Sequence, residues 1–353
     1  MRPPKPGTPG TPGAREIGLT SVSLDLGAPT RGTAAGPAAL RDAGIAGVLE
    51  ALGHQVAAQH EIAQDAAAGA DLAPEARLAA VASVCTQLAD IVERSLRAGQ
   101  FPLILGGDHS LSMGSVAGLV RHYRAQEKEQ ELGVLWVDAH PDMNTPETTP
   151  SGNLHGMPLA ILLGHGPDAL TRIGGAAPAL APSNVVIFGV REIDADEERL
   201  VQRSGVRVFR RTEIAQRGVE VCLAEALDRL RGAGAGIHLS FDLDACDPAL
   251  APGVTTPVHD GLDRREALAI CEQLGRSGRL SSMEIVELNP AMDAGNRTAE
   301  LAARLVESAL AAEPVAETIV RPPYREMSID RPAGNHRTTG GMSPIPEGIQ
   351  EPS

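Results

Sequence analysis

Aromatic residues are scarce in this chain of 353 residues, since Phe, Tyr and Trp together make up only 2%. A surface of rings on which nucleic-acid bases stack is therefore not expected. Basic residues are also few: 31 Lys and Arg face 45 Asp and Glu, and the formal net charge is −14. This balance disfavours nucleic acid and anionic membranes as partners, and it favours a cationic small molecule or metal ions.

Other signals are missing as well. No apolar run reaches the roughly 18 residues of a membrane span, and residues 1–15 lack the apolar core of a signal peptide. The four cysteines show no CxxC spacing, so we expect reduced thiols in a cytoplasmic protein. No GxGxxG follows the first strand-like run, which sets aside a dinucleotide-binding protein.

Both ends of the chain are rich in Pro and Gly. Residues 1–15 contain GTPGTPG, and they are predicted to form a flexible tail. Residues 327–353 are predicted to form a second tail, with an arm ordered against a neighbouring subunit as the alternative. Length alone would suit two domains, but residues 16–326 contain no comparable linker and are predicted to form one catalytic domain.

Strand-like and helix-like segments alternate between these tails. Short apolar runs predict strands at Gly18–Leu24, Gln55–Ala58, Phe101–Leu105, Gly133–Val137, Asn184–Val190, Val206–Phe209, Gly236–Phe241 and Ser282–Leu288. Helical patterns occur at Ala38–Leu52, Glu75–Ala98, Val219–Arg231, Arg264–Leu274 and Thr298–Ala311. This alternation predicts an α/β fold, with a mostly parallel sheet of about eight strands covered by helices on both faces.

Candidate metal ligands follow three of these strands, at the edge where open α/β sheets bind ligands. They are His109, Asp138, His140, Asp142, Asp242 and Asp244. In an extended backbone, residues two apart point to the same side, so each Asp-rich group could face one point. Four unpaired carboxylates would repel one another at low dielectric. Two divalent cations would neutralise them, and the oxygen-rich set favours Mn²⁺ over a structural zinc.

Such a centre also suggests a reaction. Two bridged metal ions can lower the pKa of a bound water to about 7, which supplies hydroxide as a nucleophile. A planar, permanently charged guanidinium suits the resulting anionic site. Cys246 could add a soft ligand, although a small buried packing residue is the simpler interpretation.

Three motifs resemble the signature sequences of the ureohydrolases, which are binuclear manganese enzymes that hydrolyse guanidino groups. The motifs are GGDHS at 106–110, DAHPD at 138–142 and SFDLDACDP at 240–248. Segments 26–37, 144–156, 189–197 and 286–290 resemble the arginase family in particular, and the likeness covers about residues 17–312.

The resemblance implies hydrolysis of the guanidino group of L-arginine to L-ornithine and urea by a metal-bridging hydroxide. It also implies two Mn²⁺ per subunit, in a homo-oligomeric enzyme (trimer or hexamer) of arginine metabolism or the urea cycle. One ion would be held by His109, Asp138, Asp142 and Asp242. The other would be held by His140, Asp138, Asp242 and Asp244.

The resemblance further implies roles around the substrate. His155 would transfer protons, and Asp142 and Glu287 complete the implied catalytic set, with Glu287 orienting the guanidinium. The implied substrate-binding residues are Asn144, Thr149, Ser151 and Asn153 on the carboxylate loop, Asp194 and Glu197 near the α-amino group, and Thr256 in the guanidino pocket. Agmatine has no carboxylate, so this loop favours arginine over agmatine as the substrate.

Two positions depart from the family pattern. Thr255 replaces a common glycine and, being β-branched, cannot easily adopt a positive φ, whereas Asp260 replaces the first glycine of a usual pair. Two alternatives to an arginase stay open: a hydrolase of another carboxylated guanidino compound, and a metal-loaded non-enzyme that senses arginine or scaffolds a complex.

Overall fold

A computed structural model describes residues 13–65 and 72–311. The predicted tail at 327–353 lies outside these ranges, as does most of the tail at 1–15. Within them, no helix is long and apolar enough to cross a membrane.

Eight parallel strands form one sheet, in the order β2-β1-β3-β8-β7-β4-β5-β6. The strands are β1 (Glu16–Ser23), β2 (Gln55–Ala63), β3 (Phe101–Leu105), β4 (Leu132–Val137), β5 (Val185–Val190), β6 (Arg207–Arg210), β7 (Gly236–Asp242) and β8 (Leu280–Val286). The predicted parallel sheet of about eight strands is confirmed.

Strand burial follows position in the sheet. The interior strands β3, β4, β5 and β7 are buried along their whole length, because helices cover both of their faces. The edge strand β2 alternates between exposed and half-buried positions. It continues five residues beyond the predicted end at Ala58, where its polar residues weaken the apolar signal.

Eleven α-helices occur in the described ranges. They are α1 (Gly36–Asp42), α2 (Ile45–Ala51), α3 (Pro74–Arg97), α4 (Ser112–Arg124), α5 (Pro158–Leu162), α6 (Asp168–Thr171), α7 (Ala195–Ser204), α8 (Arg211–Arg217), α9 (Val219–Arg229), α10 (Arg264–Arg276) and α11 (Arg297–Ala311). The single helix predicted at Ala38–Leu52 is wrong. Gly44 has a φ of 90°, a left-handed conformation that ends α1 before α2 begins.

The helices divide the core into two apolar layers, one on each face of the sheet. Side chains of α2, α9, α10 and α11 pack with Leu103 and Leu105, whereas those of α3, α4 and α5 pack with Ile104. This alternation is the period of two expected of a strand buried on both faces. Because all eight strands are parallel, the carboxyl ends of the four central strands meet at one edge of the sheet; these strands are β3, β8, β7 and β4.

Candidate metal centre and active site

The GGDHS motif makes a tight turn at the end of β3. A Cβ at Gly107 would lie 1.9 Å from the carbonyl oxygen of Leu24, so only glycine allows this approach. Asp108 then accepts hydrogen bonds from the backbone N–H groups of Ser110 at 3.0 Å and Gly27 at 2.6 Å. The turn places His109, which is buried, at the sheet edge.

The Asp-rich groups do not have the extended backbone expected from their spacing. β4 ends at Val137, and Asp142 has a left-handed φ of 53°. After β7, residues Leu243–Ala245 form a 3-10 turn, in which Asp244 donates its N–H to Asp242 at 2.7 Å. The side chains converge because these loops curl over the sheet edge, not because residues two apart share a strand face.

Three carboxylates surround one histidine. The Nδ1 atom of His109 lies 3.1 Å from Asp138 Oδ2, 3.0 Å from Asp142 Oδ2 and 3.0 Å from Asp242 Oδ2. Beside them, the Nδ1 atom of His140 lies 3.4 Å from Asp138 Oδ1 and 3.2 Å from Asp244 Oδ2.

Two groups of ligand atoms result. His109, Asp138 and Asp142 form one group, and Asp138, His140 and Asp244 form the other, with the ligand atoms of each group within 4.8 Å of one another. Asp138 belongs to both groups. The two groups contain five of the six residues expected to bind metal, and the sixth, Asp242, lies beside the first group, 3.0 Å from His109 Nδ1. Cys246 packs in the core.

These residues fit a pair of divalent cations. Although they lie 3.0 Å apart, the buried atoms His109 Nδ1 and Asp142 Oδ2 are not aligned for a hydrogen bond, and neither has another partner in the described part of the chain. Burial and the charge of Asp138 raise the pKa of Asp142 to about 6, and burial with the neighbouring Asp244 and Asp138 raises the pKa of Asp242 well above its usual value. A bound cation would relieve this crowding of charge and satisfy the unpaired atoms.

Two residues that the sequence analysis did not single out orient the ligands. The Trp136 ring stacks on His109 with centroids 4.2 Å apart, and its Nε1–H donates to Asp138 Oδ2 at 3.0 Å. Ser240 Oγ lies 2.8 Å from His109 Nε2. Trp136 lies two residues before Asp138, and Ser240 lies two residues before Asp242. Because alternate residues of a strand share a face, counting back by two from each predicted ligand into β4 and β7 would have indicated them.

A cavity of about 260 Å³ opens above this cluster. Most of the residues expected at the site line it: His109, His140, Asp142, Asn144, Thr149, Ser151, Asn153, His155, Asp194, Glu197, Asp242, Asp244 and Thr256. Asp138 and Glu287 lie just behind its wall, each 1% exposed. Pro29, Gly156, Glu192 and Ile193 complete the lining, and nothing in their residue types marked them as site residues.

The carboxylate loop forms a network of its own. Asn144 Nδ2 donates to Asp194 Oδ2 at 3.1 Å, which joins the loop to the start of α7. The Thr149 and Ser151 hydroxyls lie 3.4 Å apart, and Ser151 Oγ accepts the N–H of Asn153 at 3.2 Å. These exposed hydroxyls present neutral hydrogen-bonding groups to the cavity.

Glu197, in the first turn of α7, supports the site. Its carboxylate accepts the N–H of Met143 at 2.8 Å and that of Asp194 at 3.4 Å. Burial raises the pKa of Glu197 to about 8. The side chain therefore fixes the loop that carries Asn144, in addition to lining the cavity.

His155, which is half-buried, pairs with the buried Glu287. His155 Nδ1 lies 3.0 Å from Glu287 Oε1, which also accepts the N–H of His109 at 2.8 Å. Burial opposes a charge on the His155 ring, but the carboxylates of Glu287, Asp142 and Asp108 raise its pKa to about 9. Glu287 Oε2 is buried without a partner among the described residues, so it remains available as an acceptor.

The two departures from the family pattern have different consequences. Thr255 has no positive φ, whereas Asp260 has a left-handed φ of 60°. Of the two positions, Asp260 therefore carries the backbone strain and Thr255 does not. The substitution at Thr255 does not prevent the next residue, Thr256, from contacting a candidate metal ligand: its Oγ1 donates to Asp244 Oδ2 at 3.0 Å.

Comparison with known proteins agrees with this geometry. The model of the arginase family matches residues 15–312. Over 297 residues the chain is 41% identical to the arginase of Bacillus caldovelox, which covers 83% of this chain and 97% of that protein. The crystal structure of the Bacillus cereus arginase aligns with a TM-score of 0.78 at 40% identity, over 86% of this chain and all (100%) of that one. The Entamoeba histolytica arginase, solved in complex with L-ornithine, aligns with a TM-score of 0.75 at 30% identity, over 84% and 98% of the two chains. This chain belongs to the arginase family.

Proposed function

We propose that this protein hydrolyses L-arginine to L-ornithine and urea with two bound Mn²⁺ ions. The observation that carries the proposal is the pair of imidazole Nδ1 atoms that face the shared carboxylate of Asp138. These groups lie beneath a cavity whose rim carries an acid and several neutral hydrogen-bonding groups. A substrate with a guanidinium at the floor of the cavity and an amino-acid head group at the rim matches that distribution.

The metal ions would be held by two sets of side chains that share Asp138 and Asp242. His109 and Asp142 would complete one set, whereas His140 and Asp244 would complete the other. When bound, divalent ions at such a centre lower the pKa of water towards about 7, so that hydroxide is present at neutral pH. The oxygen-rich composition of both sets favours Mn²⁺.

Residues at the rim of the cavity are proposed to bind the amino-acid head group. The carboxylate of Asp194 can pair with the substrate ammonium, and the hydroxyls of Thr149 and Ser151 with the amide of Asn144 can donate to the substrate carboxylate. Because Asn144 also donates to Asp194, both halves of the head-group site are held in one arrangement. This preorganisation lowers the entropic cost of binding the substrate.

His155 and Asp142 are the residues proposed to transfer protons. The neighbouring carboxylates, Glu287 foremost, raise the pKa of the His155 ring to about 9 and so favour its protonated form. The ring can therefore protonate the departing ornithine nitrogen, while Glu287 holds the ring through Nδ1. Asp142 Oδ2 has no hydrogen-bond partner among the described residues, and it can take up the proton that the attacking water loses. Thr256 closes the wall beside Asp244, and Glu287 Oε2 can accept from the guanidinium.

Turnover of three guanidino compounds tests the substrate assignment. Agmatine lacks the carboxylate of arginine, and 4-guanidinobutyrate lacks its amino group and one methylene. Each lost hydrogen bond to a charged group costs about 1.5–3 kcal/mol, or about 10- to 150-fold. We therefore expect kcat/KM for arginine to exceed both by at least tenfold. A preference for either analogue would favour another guanidino hydrolase, and binding of arginine without urea release would favour the sensor.

Homo-oligomerisation, a cytoplasmic location and a role in arginine metabolism or the urea cycle stay predictions from the family resemblance. The ligand groups and the cavity themselves are formed by residues of one chain.

A further inference from the structure

Arg191 follows β5 and binds five backbone carbonyl oxygens in two loops. In the first loop its guanidinium donates to Asp244 at 2.7 Å, Ala245 at 3.1 Å and Cys246 at 3.3 Å. In the second it donates to Val258 at 2.7 Å and His259 at 3.0 Å. This arrangement differs from the surface arginines of the chain, several of which pair with a carboxylate, such as Arg276 with Glu272.

Both loops belong to the site. The first carries Asp244, which lies beside His140 in one of the two ligand groups. The second follows Thr256, whose hydroxyl donates to Asp244 Oδ2 at 3.0 Å. Arg191 therefore joins a loop that carries a candidate metal ligand to the loop that forms the adjacent wall of the cavity.

Loss of this guanidinium would affect the two loops directly. Their carbonyls would lose a charged donor, and hydrogen bonds to charged groups contribute about 1.5–3 kcal/mol each. The positive charge of Arg191 also attracts Asp244 and Asp138, so its removal would increase the repulsion among the carboxylates.

The other ligand group depends on different contacts. His109 lies in the turn capped by Asp108, and Glu197 fixes the residue next to Asp142 through the N–H of Met143. None of these contacts involves Arg191. A defect at Arg191 should therefore weaken the ion bound by His140 and Asp244 more than the other ion, which shares only Asp138 and Asp242 with it.

We propose that Arg191 is a positioning residue, which holds Asp244 and the Thr256 wall in place and so sets the affinity of the ion bound by His140 and Asp244. The inference rests on the proposed function for the identity of the metal and the substrate. It rests on the hydrogen bonds of Arg191 for its selectivity between the two ions.

The experiment compares Arg191→Lys and Arg191→Ala with the wild-type protein. Lysine keeps the charge but cannot reproduce the planar fork that reaches both loops. Arg211→Ala is the matched control, because Arg211 donates to the carbonyls of Asp260 and Gly261 just beyond the second loop but to none at 244–246. His140→Asn removes a ligand of the same ion and serves as the reference.

Manganese binding is measured by atomic absorption after equilibrium dialysis over a range of free Mn²⁺. Replacement of groups that orient metal ligands costs about 10- to 100-fold in metal affinity. We expect a loss of this size for one ion in Arg191→Ala and a smaller loss in Arg191→Lys, with the other ion within threefold of wild type. Arg211→Ala should bind both ions like wild type. Excess Mn²⁺ should bring the kcat of both Arg191 variants back towards the wild-type value but leave their KM raised, because the cavity wall at Thr256 stays displaced.

Two results would overturn the inference: wild-type affinity for both ions in Arg191→Ala, or an equal loss for both ions. The proposed function fails separately, if wild-type protein binds two ions but releases no urea from arginine. In that case the affinities of the Arg191 variants still decide the positioning role.

Discussion

A buried carboxylate–imidazole pair below the candidate metal centre gives the most demanding prediction. Glu284 on β8 lies 3.3 Å from His238 Nε2 on β7, and both side chains are 0% exposed. Glu284 also accepts hydrogen bonds from the hydroxyls of Ser112, at 2.6 Å, and Ser115. These serines belong to the first turn of α4, which directly follows the turn that carries His109. Glu284→Gln removes the charge with little change in volume.

The magnitude follows from the pKa of Glu284. Burial would raise this pKa, but His238 and the two serine hydroxyls lower it to about 2, compared with an ordinary value of 4.5. A difference of that size corresponds to about 3 kcal/mol of stability at neutral pH. The loss of one partner of a buried pair costs about 3–5 kcal/mol in general. We expect Glu284→Gln to lose about 3 kcal/mol at pH 7.

The direction in which this stabilisation changes with pH also follows from the pKa of Glu284. The folded pKa is depressed, so the contribution is complete above about pH 4.5 and is lost as the pH falls through about 2. The difference between wild type and Glu284→Gln should therefore shrink to about 2 kcal/mol at pH 3.5.

Urea denaturation of the metal-free protein at both pH values measures this, with the fluorescence of Trp136, the only tryptophan of the chain, as the signal. Glu272→Gln is the matched control, because Glu272 pairs with Arg276 on an exposed surface and its loss should cost less than about 1 kcal/mol. A loss below about 0.5 kcal/mol in Glu284→Gln at pH 7, or a difference that grows in acid, would refute the reasoning, since a contributing buried pair must exceed this surface level.

Two further substitutions follow from the site and its loops. Trp136→Phe keeps a ring against His109 but removes the hydrogen bond to Asp138, so Mn²⁺ affinity should fall about tenfold. Competition with a fluorescent chelator measures this, and unchanged affinity would contradict the role given to Trp136. Asp260→Gly should raise the free energy of unfolding by about 1 kcal/mol, because glycine adopts the left-handed φ of this exposed residue without strain. Urea denaturation tests this, and a decrease in stability would mean that the Asp260 side chain contributes more than its backbone costs.

Much of the sheet could be predicted from the sequence, because its interior strands are continuous runs of Val, Ile and Leu with no competing signal. The run at Val185–Val190 illustrates this, since all six residues are buried. Helix α4 was missed for the opposite reason. Its serines and glycines pack closely, as Gly114 and Gly118 do against Cys85 and Ala89 of α3, so small residues replace the usual apolar stripe.

The site was predicted from motif resemblance more than from local geometry. The spacing of Asp138, His140 and Asp142 suggested an extended backbone, whereas their convergence depends on the left-handed φ of Asp142, which periodicity cannot reveal. Arg191 illustrates a second limit. Its partners are backbone carbonyls 53 to 68 residues away in the sequence, and no residue type marks such acceptors.

Manganese-dependent urea release tests the central claim most directly. The metal-free protein is titrated with Mn²⁺ in the presence of L-arginine, and bound metal and urea are measured together, with Asp138→Ala as the control. The shared position of Asp138 predicts that activity develops as the second ion binds, and that Asp138→Ala neither loads two ions nor releases urea. Full activity with one ion, two ions retained by Asp138→Ala, or two ions without urea in the wild type would contradict the account.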